Sequence, residues 1–248
     1  MKNIILKWGI IGSGDVVNRL VKKSFNIKTK SLALMIMSDN LEQARVIAKK
    51  YRIRDYTDNA NDIFENKDIN AVYIACPPNN HFKYLIKSIN SKKKYLLCEK
   101  PLVIKSSELE KLKKFLRSKK ISLTTCFYRR YQKRFLKIKN IIDKKKIGKI
   151  LFFKVAYLHG PETHPTAKIM KNKNKLLLPW RFKKKIAGAG NLFDMGSHVF
   201  DMINFLIGEI SEINVNIKNI KKLYDVEDNA FIKFDLKNGV SGFGIWSS

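Results

Sequence analysis

Residues 95–101, YLLCEKP, place Glu99 and Lys100 directly after a short apolar run. A lysine that leaves the core at the end of a strand can be partly desolvated, which lowers its pKa and lets it hydrogen-bond a substrate hydroxyl. The alternative is an ordinary solvated lysine, because the chain carries 50 Lys and Arg residues. Its position makes Lys100 a candidate catalytic residue.

A second stretch, GAGNLFDMGSH (188–198), combines a carboxylate with an imidazole. Asp194 and His198 are four residues apart, so they share one face of a predicted helix. Such a pair is a common arrangement for general acid–base catalysis. Asp201 follows three residues later on nearly the same face. The alternative is a structural Asp–His pair that caps the Gly-rich loop.

A glycine-rich turn, GSGDVV (12–17), lies where the first predicted strand passes into the first predicted helix. Only glycine lets a backbone approach a pyrophosphate closely at this point, and the helix N-terminus then faces the phosphates. Two glycines also occur in ordinary strand–turn–helix loops, but this turn follows the first strand, where the fingerprint is expected. The predicted cofactor contacts in the turn are Gly12, Ser13, Gly14, Asp15 and Val16.

The end of the second predicted strand supplies a candidate acceptor for a ribose. Residues 31–37 are followed by Ser38 and Asp39, both predicted cofactor contacts. A carboxylate here can accept from the ribose hydroxyls and would repel a 2′-phosphate. No arginine adjoins Asp39, so the sequence favours NAD over NADP. Alternatively, Asp39 only caps the helix predicted over 41–51, since Asp39 and Glu42 have N-cap spacing.

The stretch CPPNNH (76–81) ends a third apolar run. Its two prolines terminate the strand, so the polar residues that follow lie at the carboxyl edge of the sheet, where ligands bind in open α/β folds. His81 could instead be a polar residue at a helix N-terminus. The predicted cofactor contacts at this strand end and the next are Cys76, Pro77, Asn79, His81, Glu99 and Lys100.

The elements that must position these residues change character near residue 125. Before it, apolar strands alternate with amphipathic helices, which predicts a doubly wound parallel sheet in an NAD(P)-binding α/β domain over 1–125. After it, an irregular stretch, a helix over 191–208 and three strand-like runs predict an α+β domain over 126–248. Residues 159–180 are expected to line the substrate pocket.

The formal charge of +29 raises the possibility of a nucleic-acid partner. However, the basic residues are mostly Lys rather than Arg, which is the better reader of bases and phosphates. They are also spread along the whole chain. A proteome biased towards Lys, Asn and Ile explains the charge better, so no nucleic-acid partner is expected.

Cysteine usage and hydropathy bear on location. No apolar run approaches the roughly 18 residues of a membrane span, and Lys7 interrupts the apolar N-terminus, which argues against a secretory signal. Cys76, Cys98 and Cys126 are odd in number and far apart, so neither a disulfide framework nor a metal site is predicted. A reducing cytoplasm is the expected compartment.

The order of these motifs is itself informative. A GxG turn, CPPNNH, EKP and a Gly-rich loop that runs into DMGSH together resemble the Gfo/Idh/MocA family, the glucose–fructose oxidoreductase and inositol dehydrogenase type, over nearly the whole chain. The resemblance implies an N-terminal Rossmann domain and, over 126–248, a C-terminal substrate and dimerisation domain on an open, mostly antiparallel sheet. It also implies an NAD(P)-dependent dehydrogenase or reductase of a sugar, cyclitol or sugar nucleotide, assembled as a homo-oligomer (dimer or tetramer).

The resemblance further implies a role for each candidate side chain. Lys100 lies between nicotinamide and substrate, His198 is the acid–base residue, and Asp194 is its neighbour. In the oxidative direction His198 takes the hydroxyl proton while hydride leaves the same carbon for the nicotinamide. General acid–base help of this kind is typically worth about 10² to 10⁴ in rate. The implied substrate contacts are Arg130, Trp180, Arg181, Asp194 and His198.

Three features depart from the family pattern. Val17 replaces the usual small third residue of the glycine turn, and Lys133 stands where a proline commonly follows Arg130. The chain stops at IWSS where relatives continue with more strands, so an incomplete sheet with an open edge is expected. Two alternatives to an active enzyme are therefore kept: a non-catalytic dinucleotide-binding regulator, and a truncated inactive fragment of the family.

Overall fold

The chain divides into two compact units, Met1–Cys126 and Phe127–Ser248. Each unit has its own sheet and its own hydrophobic core. The segment 159–178, which covers most of the expected pocket lining, lies outside the described residues. The computed structural model describes residues 4–25 (backbone only at 20–23), 30–117, 119–158 and 179–247.

Six strands build the sheet of the first unit. They are β1 (Leu6–Ile11), β2 (Ser31–Met37), β3 (Asp55–Thr57), β4 (Ala71–Ile74), β5 (Tyr95–Cys98) and β6 (Ser122–Thr125). Their order is β3-β2-β1-β4-β5-β6, and all neighbouring pairs are parallel. This is the strand order of a Rossmann fold, which reverses between β1 and β4. The predicted doubly wound parallel sheet is confirmed.

Helices cover both faces of this sheet. They are α1 (Asp15–Ser24), α2 (Leu41–Tyr51), α3 (Ala60–Glu65), α4 (His81–Asn90) and α5 (Ser106–Arg117). Successive residues of a strand point to opposite faces, so the neighbours Ile10 and Ile11 enter two different core clusters, and both are fully buried. Burial on both faces is what makes the strands of a parallel sheet read as continuous apolar runs.

The second unit combines helices with a smaller, mixed sheet. In chain order its elements are α6 (Lys133–Asp143), β7 (Phe152–Leu158), α7 (Lys184–Ala187), α8 (Asn191–Leu206), β8 (Ile210–Lys218), β9 (Asn229–Leu236) and β10 (Ser241–Ser247). The strand order is β7-β10-β9-β8. The β8–β9 and β9–β10 pairs are antiparallel, whereas β10 pairs with β7 in parallel. The predicted α+β domain with a largely antiparallel sheet is confirmed.

One face of this second sheet carries the core of the unit. Alternate residues of β9 are buried, with Ile232 and Phe234 at 0% exposure, and Trp246 of β10 joins them. Ile203 of α8 belongs to the same cluster. The helix that bears Asp194 and His198 is therefore anchored by its apolar side in the core of the second unit.

The described part of the chain has no helix that is long and apolar enough to cross a membrane. Within the same residues, no three His, Cys, Asp or Glu side chains are grouped so that they could hold a metal ion. Cys76, Cys98 and Cys126 are free thiols.

Candidate active site

The turn after β1 contains two glycines, and the structure explains the presence of glycine differently at each position. Gly12 has φ of 114°, and a Cβ there would lie 2.5 Å from the backbone oxygen of Ala75. The fold itself therefore requires glycine at this position. At Gly14 an added Cβ would meet nothing within 4 Å. Packing within the protein does not explain Gly14, whereas close approach of a pyrophosphate to the exposed start of α1 does. The turn thus fits a dinucleotide.

The residues that follow Gly14 fit the same purpose. Asp15 is exposed and opens α1, and Val16 is half-buried. Val17, the departure from the usual small third residue, is fully buried in the core. Because its side chain packs inward, the substitution leaves the outer surface of the turn unchanged.

Two serines join the ends of β1 and β2. The hydroxyl oxygens of Ser13 and Ser38 are 2.6 Å apart, and both residues are buried. The Ser13 carbonyl also accepts from the side-chain amide of Gln43 at 3.2 Å, and Ser38 accepts from the backbone N–H of Asn40 at 3.3 Å. Both serines were predicted to contact the cofactor, but the structure engages their side chains with each other.

Asp39 is exposed just beyond the end of β2. The cap of α2 is Asn40, whose side-chain oxygen accepts from the backbone N–H of Gln43 at 3.0 Å. The alternative reading of Asp39 as the helix cap is therefore wrong. Burial, with a smaller contribution from the Asp39 carboxylate, raises the pKa of Cys76, which follows β4, to about 12. Asp39 is therefore an exposed carboxylate with no capping role, at the carboxyl edge of the sheet, where ligands bind in open α/β folds.

His81 ties two strand ends together. Its Nδ1 lies 2.8 Å from the carbonyl oxygen of Pro101, its Nε2 lies 2.9 Å from that of Cys76, and the residue is 0% exposed. Burial lowers the pKa of the imidazole, and the two carbonyl contacts oppose this. The fully buried ring positions the loops after β4 and β5, and the cofactor contact of His81 stays a prediction. Pro77 beside it is half-buried, and Asn79 is exposed.

Glu99 and Lys100 leave the sheet directly after β5. The Glu99 carboxylate accepts from the hydroxyl of Tyr73 at 2.8 Å, and burial together with the Glu99 charge raises the pKa of Tyr73. Burial and the same carboxylate raise the pKa of the Cys126 thiol. The buried residue Tyr73 thus holds the Glu99 carboxylate in place. Lys100 is half-buried, and the peptide bond to Pro101 is cis.

In the second unit, α8 carries the predicted acid–base pair. His198 is 4% exposed, and its ring meets the rings of Tyr128 and Phe127 edge-on at centroid distances of 5.3 Å and 6.1 Å. Asp194, one turn earlier, is half-buried, and its Oδ2 lies 3.4 Å from Nε of Arg181. The Arg181 guanidinium stacks over the ring of Trp180 at 4.4 Å. The predicted WR pair therefore lies beside Asp194.

Arg130, a predicted substrate contact, is engaged elsewhere in the same unit. Its Nε and Nη2 lie 2.8 Å and 2.5 Å from Oδ1 of Asp201 on α8, and this hydrogen-bonded pairing raises the pKa of Arg130. Its guanidinium also lies 5.5 Å from the ring centroid of Phe205. The pair spans 71 positions of sequence, which is why the pattern of the chain did not reveal it.

Two residues near α8 were missed by sequence reasoning. Tyr128 lies in CFYRRY, whose aromatic residues could have signalled contact with the neighbouring helix. Glu227 accepts from the backbone N–H of Gly190 at 2.6 Å, at the N-terminus of α8. A carboxylate there is favourable because helix N-termini carry partial positive charge. Glu227 lies 37 positions away, and no local signal marks it.

Comparison with known families agrees with this arrangement. Residues 6–127 match the family described as "Oxidoreductase family, NAD-binding Rossmann fold", and residues 135–248 match the "GFO/IDH/MocA C-terminal domain". The chain belongs to the Gfo/Idh/MocA oxidoreductase family. Residues 6–127 carry the family's NAD-binding Rossmann domain.

Individual members of the family are similar along most of the chain. Oxidoreductase P35 of Formosa agariphila is 29% identical over 242 residues, which cover 98% of this chain and 72% of the relative. Levoglucosan dehydrogenase of Pseudarthrobacter phenanthrenivorans is 31% identical over 180 residues, which cover 73% of this chain and 44% of the relative. A solved levoglucosan dehydrogenase in complex with NADH matches with a TM-score of 0.81 at 28% identity, covering 97% of this chain and 66% of that one. This Gfo/Idh/MocA chain thus spans only part of the length of its relatives.

Proposed function

We propose that this Gfo/Idh/MocA chain is an NAD-dependent dehydrogenase or reductase that acts on a CH–OH carbon of a sugar, cyclitol or sugar nucleotide. The observation that carries the proposal is the open Cβ position at Gly14 beside the exposed carboxylate of Asp39. These two features suit the pyrophosphate and the ribose of NAD at one edge of the sheet. Similarity to levoglucosan and inositol dehydrogenases supports the substrate class.

The roles of the reacting side chains follow from their chemistry and from the family resemblance. Bound NAD supplies the hydride acceptor. His198 accepts the proton of the substrate hydroxyl, because a neutral imidazole has a nitrogen lone pair that can act as a general base. The family resemblance assigns Lys100 and Asp194 to that hydroxyl. It also makes Arg181, whose Nε lies 3.4 Å from the Asp194 carboxylate, a substrate contact. Close contact with aromatic rings limits water around His198.

The cofactor half of the proposal is tested by fluorescence titration of the purified 248-residue chain with NADH and then NADPH. We expect saturable binding that is tighter for NADH and is abolished by Gly14→Asp, which puts a carboxylate against the pyrophosphate. Asp39→Asn should weaken NADH binding about 10- to 100-fold, the equivalent of one charged hydrogen bond, while the exposed control Glu65→Gln should not. Tighter binding of NADPH would overturn the assignment of Asp39.

The catalytic half is tested by turnover with a panel of anhydrosugars, cyclitols and sugar nucleotides. We expect NADH formation with at least one of them, and its loss in His198→Asn with NADH affinity retained. Loss of at least about 10²-fold is expected for a general base. Binding of NADH without turnover of any substrate would instead favour a regulator that senses the dinucleotide.

The finer features of the assembly are also proposals. The outer face of the second sheet exposes Phe152 at 56% and Phe231 at 52%, and both rings pack against Phe243. Exposed aromatic patches of this kind mark protein interfaces, which supports a homo-oligomer. Sedimentation of the wild type and Phe231→Lys would show whether the charged substitution yields monomers. The three free thiols support a reducing cytoplasmic location.

A further inference from the structure

Asp201 is a buried carboxylate that pairs with the Arg130 guanidinium through only one of its two oxygens. Its side chain is 4% exposed, and its Oδ1 accepts from two nitrogens of the Arg130 guanidinium. Its Oδ2 is buried without a hydrogen-bond partner among the described residues. Removal of one member of such a pair leaves an uncompensated buried charge, which is strongly unfavourable. The position of α8 against Arg130 is therefore firmly determined.

The same short segment also contacts His198. Arg130 belongs to the 3₁₀ turn Tyr128–Tyr131, and the ring of Tyr128 meets the imidazole of His198 edge-on at 5.3 Å. His198 and Asp201 are three residues apart in α8, so they lie on one face of the helix about one turn apart. The segment Tyr128–Tyr131 thus contacts α8 at two successive turns. One contact is the ion pair of Arg130 with Asp201, and the other is the ring contact of Tyr128 with His198.

We propose that Arg130 is a positioning residue that acts through Asp201 to fix the rotation of α8, and thereby the orientation of the His198 imidazole against Tyr128. The proposal deepens the proposed function, since it rests on His198 as the proton acceptor. The Arg130 fork places two donors on one oxygen, which a lysine ammonium cannot reproduce in the same geometry. The guanidinium also lies 5.5 Å from the ring centroid of Phe205, a cation–π contact that helps to hold it in place.

The test compares Arg130→Met and Arg130→Lys with the control Arg134→Met. Arg134 is a matched control because it also donates to a side chain and stacks on a ring, but on the exposed surface of α6. We expect Arg130→Met to lower kcat about 10- to 100-fold, as for a misplaced catalytic group. The KM and the NADH affinity should change less than about 3-fold, because Arg130 then acts through Asp201 alone; a large rise in KM would instead support the predicted contact of Arg130 with substrate and overturn the positioning role. Arg130→Lys should recover part of kcat.

A spectroscopic measurement tests the positioning without turnover. The chain has only four histidines, so the ring protons of His198 can be assigned by NMR with His198→Asn. Ring currents from Tyr128 should displace these resonances, and the displacement should change in Arg130→Met but not in Arg134→Met. This measurement is made on folded protein, and Arg130→Lys takes its place if the Met variant does not fold.

The outcomes separate the two proposals. Unchanged His198 resonances and unchanged kcat in folded Arg130 variants would overturn the positioning role. Equal losses in the Arg130 and Arg134 variants would also overturn it. Displaced resonances in a wild-type protein that turns over no substrate would support the contact between the segment and α8, while the proposed function itself would fail.

Discussion

Alanine at the two glycines of the nucleotide turn should have opposite consequences. In Gly12→Ala the new Cβ would lie 2.5 Å from the backbone oxygen of Ala75 and 2.9 Å from the backbone nitrogen of Cys76. Neither atom can rotate away. A non-glycine residue at the φ of 114° adds strain of about 1–3 kcal/mol, and overpacking typically adds about 1–3 kcal/mol. The free energy of unfolding should therefore fall by about 2–6 kcal/mol.

Gly14→Ala is the matched substitution, because its Cβ enters open space. We expect its stability to stay within about 0.5 kcal/mol of wild type, while NADH affinity falls because the methyl group occupies the approach of the pyrophosphate. Gly12→Ala, in contrast, should be less stable than the wild type whether or not it still binds NADH.

Urea denaturation followed by circular dichroism, together with NADH titration of each folded variant, measures both effects. The unfolding midpoint of Gly12→Ala should move to lower urea, and that of Gly14→Ala should coincide with wild type. A Gly12→Ala variant as stable as the wild type would refute the packing argument. Full NADH affinity in Gly14→Ala would refute the assignment of its open space to the cofactor.

Three further substitutions test the contacts that shape the site. His81→Leu removes the single N–H of the neutral imidazole, which pairs with one of the two carbonyls that face the ring, and should lower the free energy of unfolding by about 1–3 kcal/mol; an unchanged urea midpoint would contradict this. Asp228→Asn should destabilise at pH 7, because backbone N–H groups outweigh burial and lower the pKa of this carboxyl; its difference from wild type should vanish as pH falls below that lowered pKa. Gly190→Ala brings a Cβ to 2.3 Å from the Glu227 carbonyl and should lower the thermal midpoint, whereas Gly148→Asn, at an exposed turn with φ of 73°, should not.

Element types and positions were largely predictable because hydrophobic period is local. Helix α2 was predicted over 41–51, as observed, since Ala44, Ile47 and Ala48 recur at helical spacing and are buried. The cap was not predictable, because Asp39 and Asn40 are adjacent and both suit an N-cap. Only the backbone geometry assigns the role to Asn40.

The same limit applies to short or exposed elements. The strand Asp55–Thr57 was missed because three residues are too few to show alternation, and its central Tyr56 is 44% exposed at the edge of the sheet. At α5, Ser107 and Glu110 have the spacing of a capping box, but the structure shows a different contact. The carboxylate of Glu108 accepts from the backbone N–H of Lys105 instead, so the helix begins earlier than the residue types suggested.

For the site, sequence could indicate the strand ends but not the contacts between distant segments. Glu99 and Lys100 were placed at the carboxyl edge because a strand end must emerge there. The contact of His81 with Pro101 joins residues 20 positions apart, and the hydrogen bond from Arg130 to Asp201 joins residues 71 positions apart. Such pairs depend on how the elements pack, which no local periodicity encodes.

The parallel pairing of β7 with β10 also has a consequence for synthesis on the ribosome. Phe152 opens β7, and its partner in the ladder is Ser241, about 90 residues later in the chain. At about 5–20 residues per second, β7 waits roughly 4–18 s for the only strand that pairs with it among the described residues. During that interval the side chain of Phe153, which is buried in the finished core, is available to chaperones, and nascent second units on neighbouring ribosomes can exchange β10 strands before each closes its own sheet.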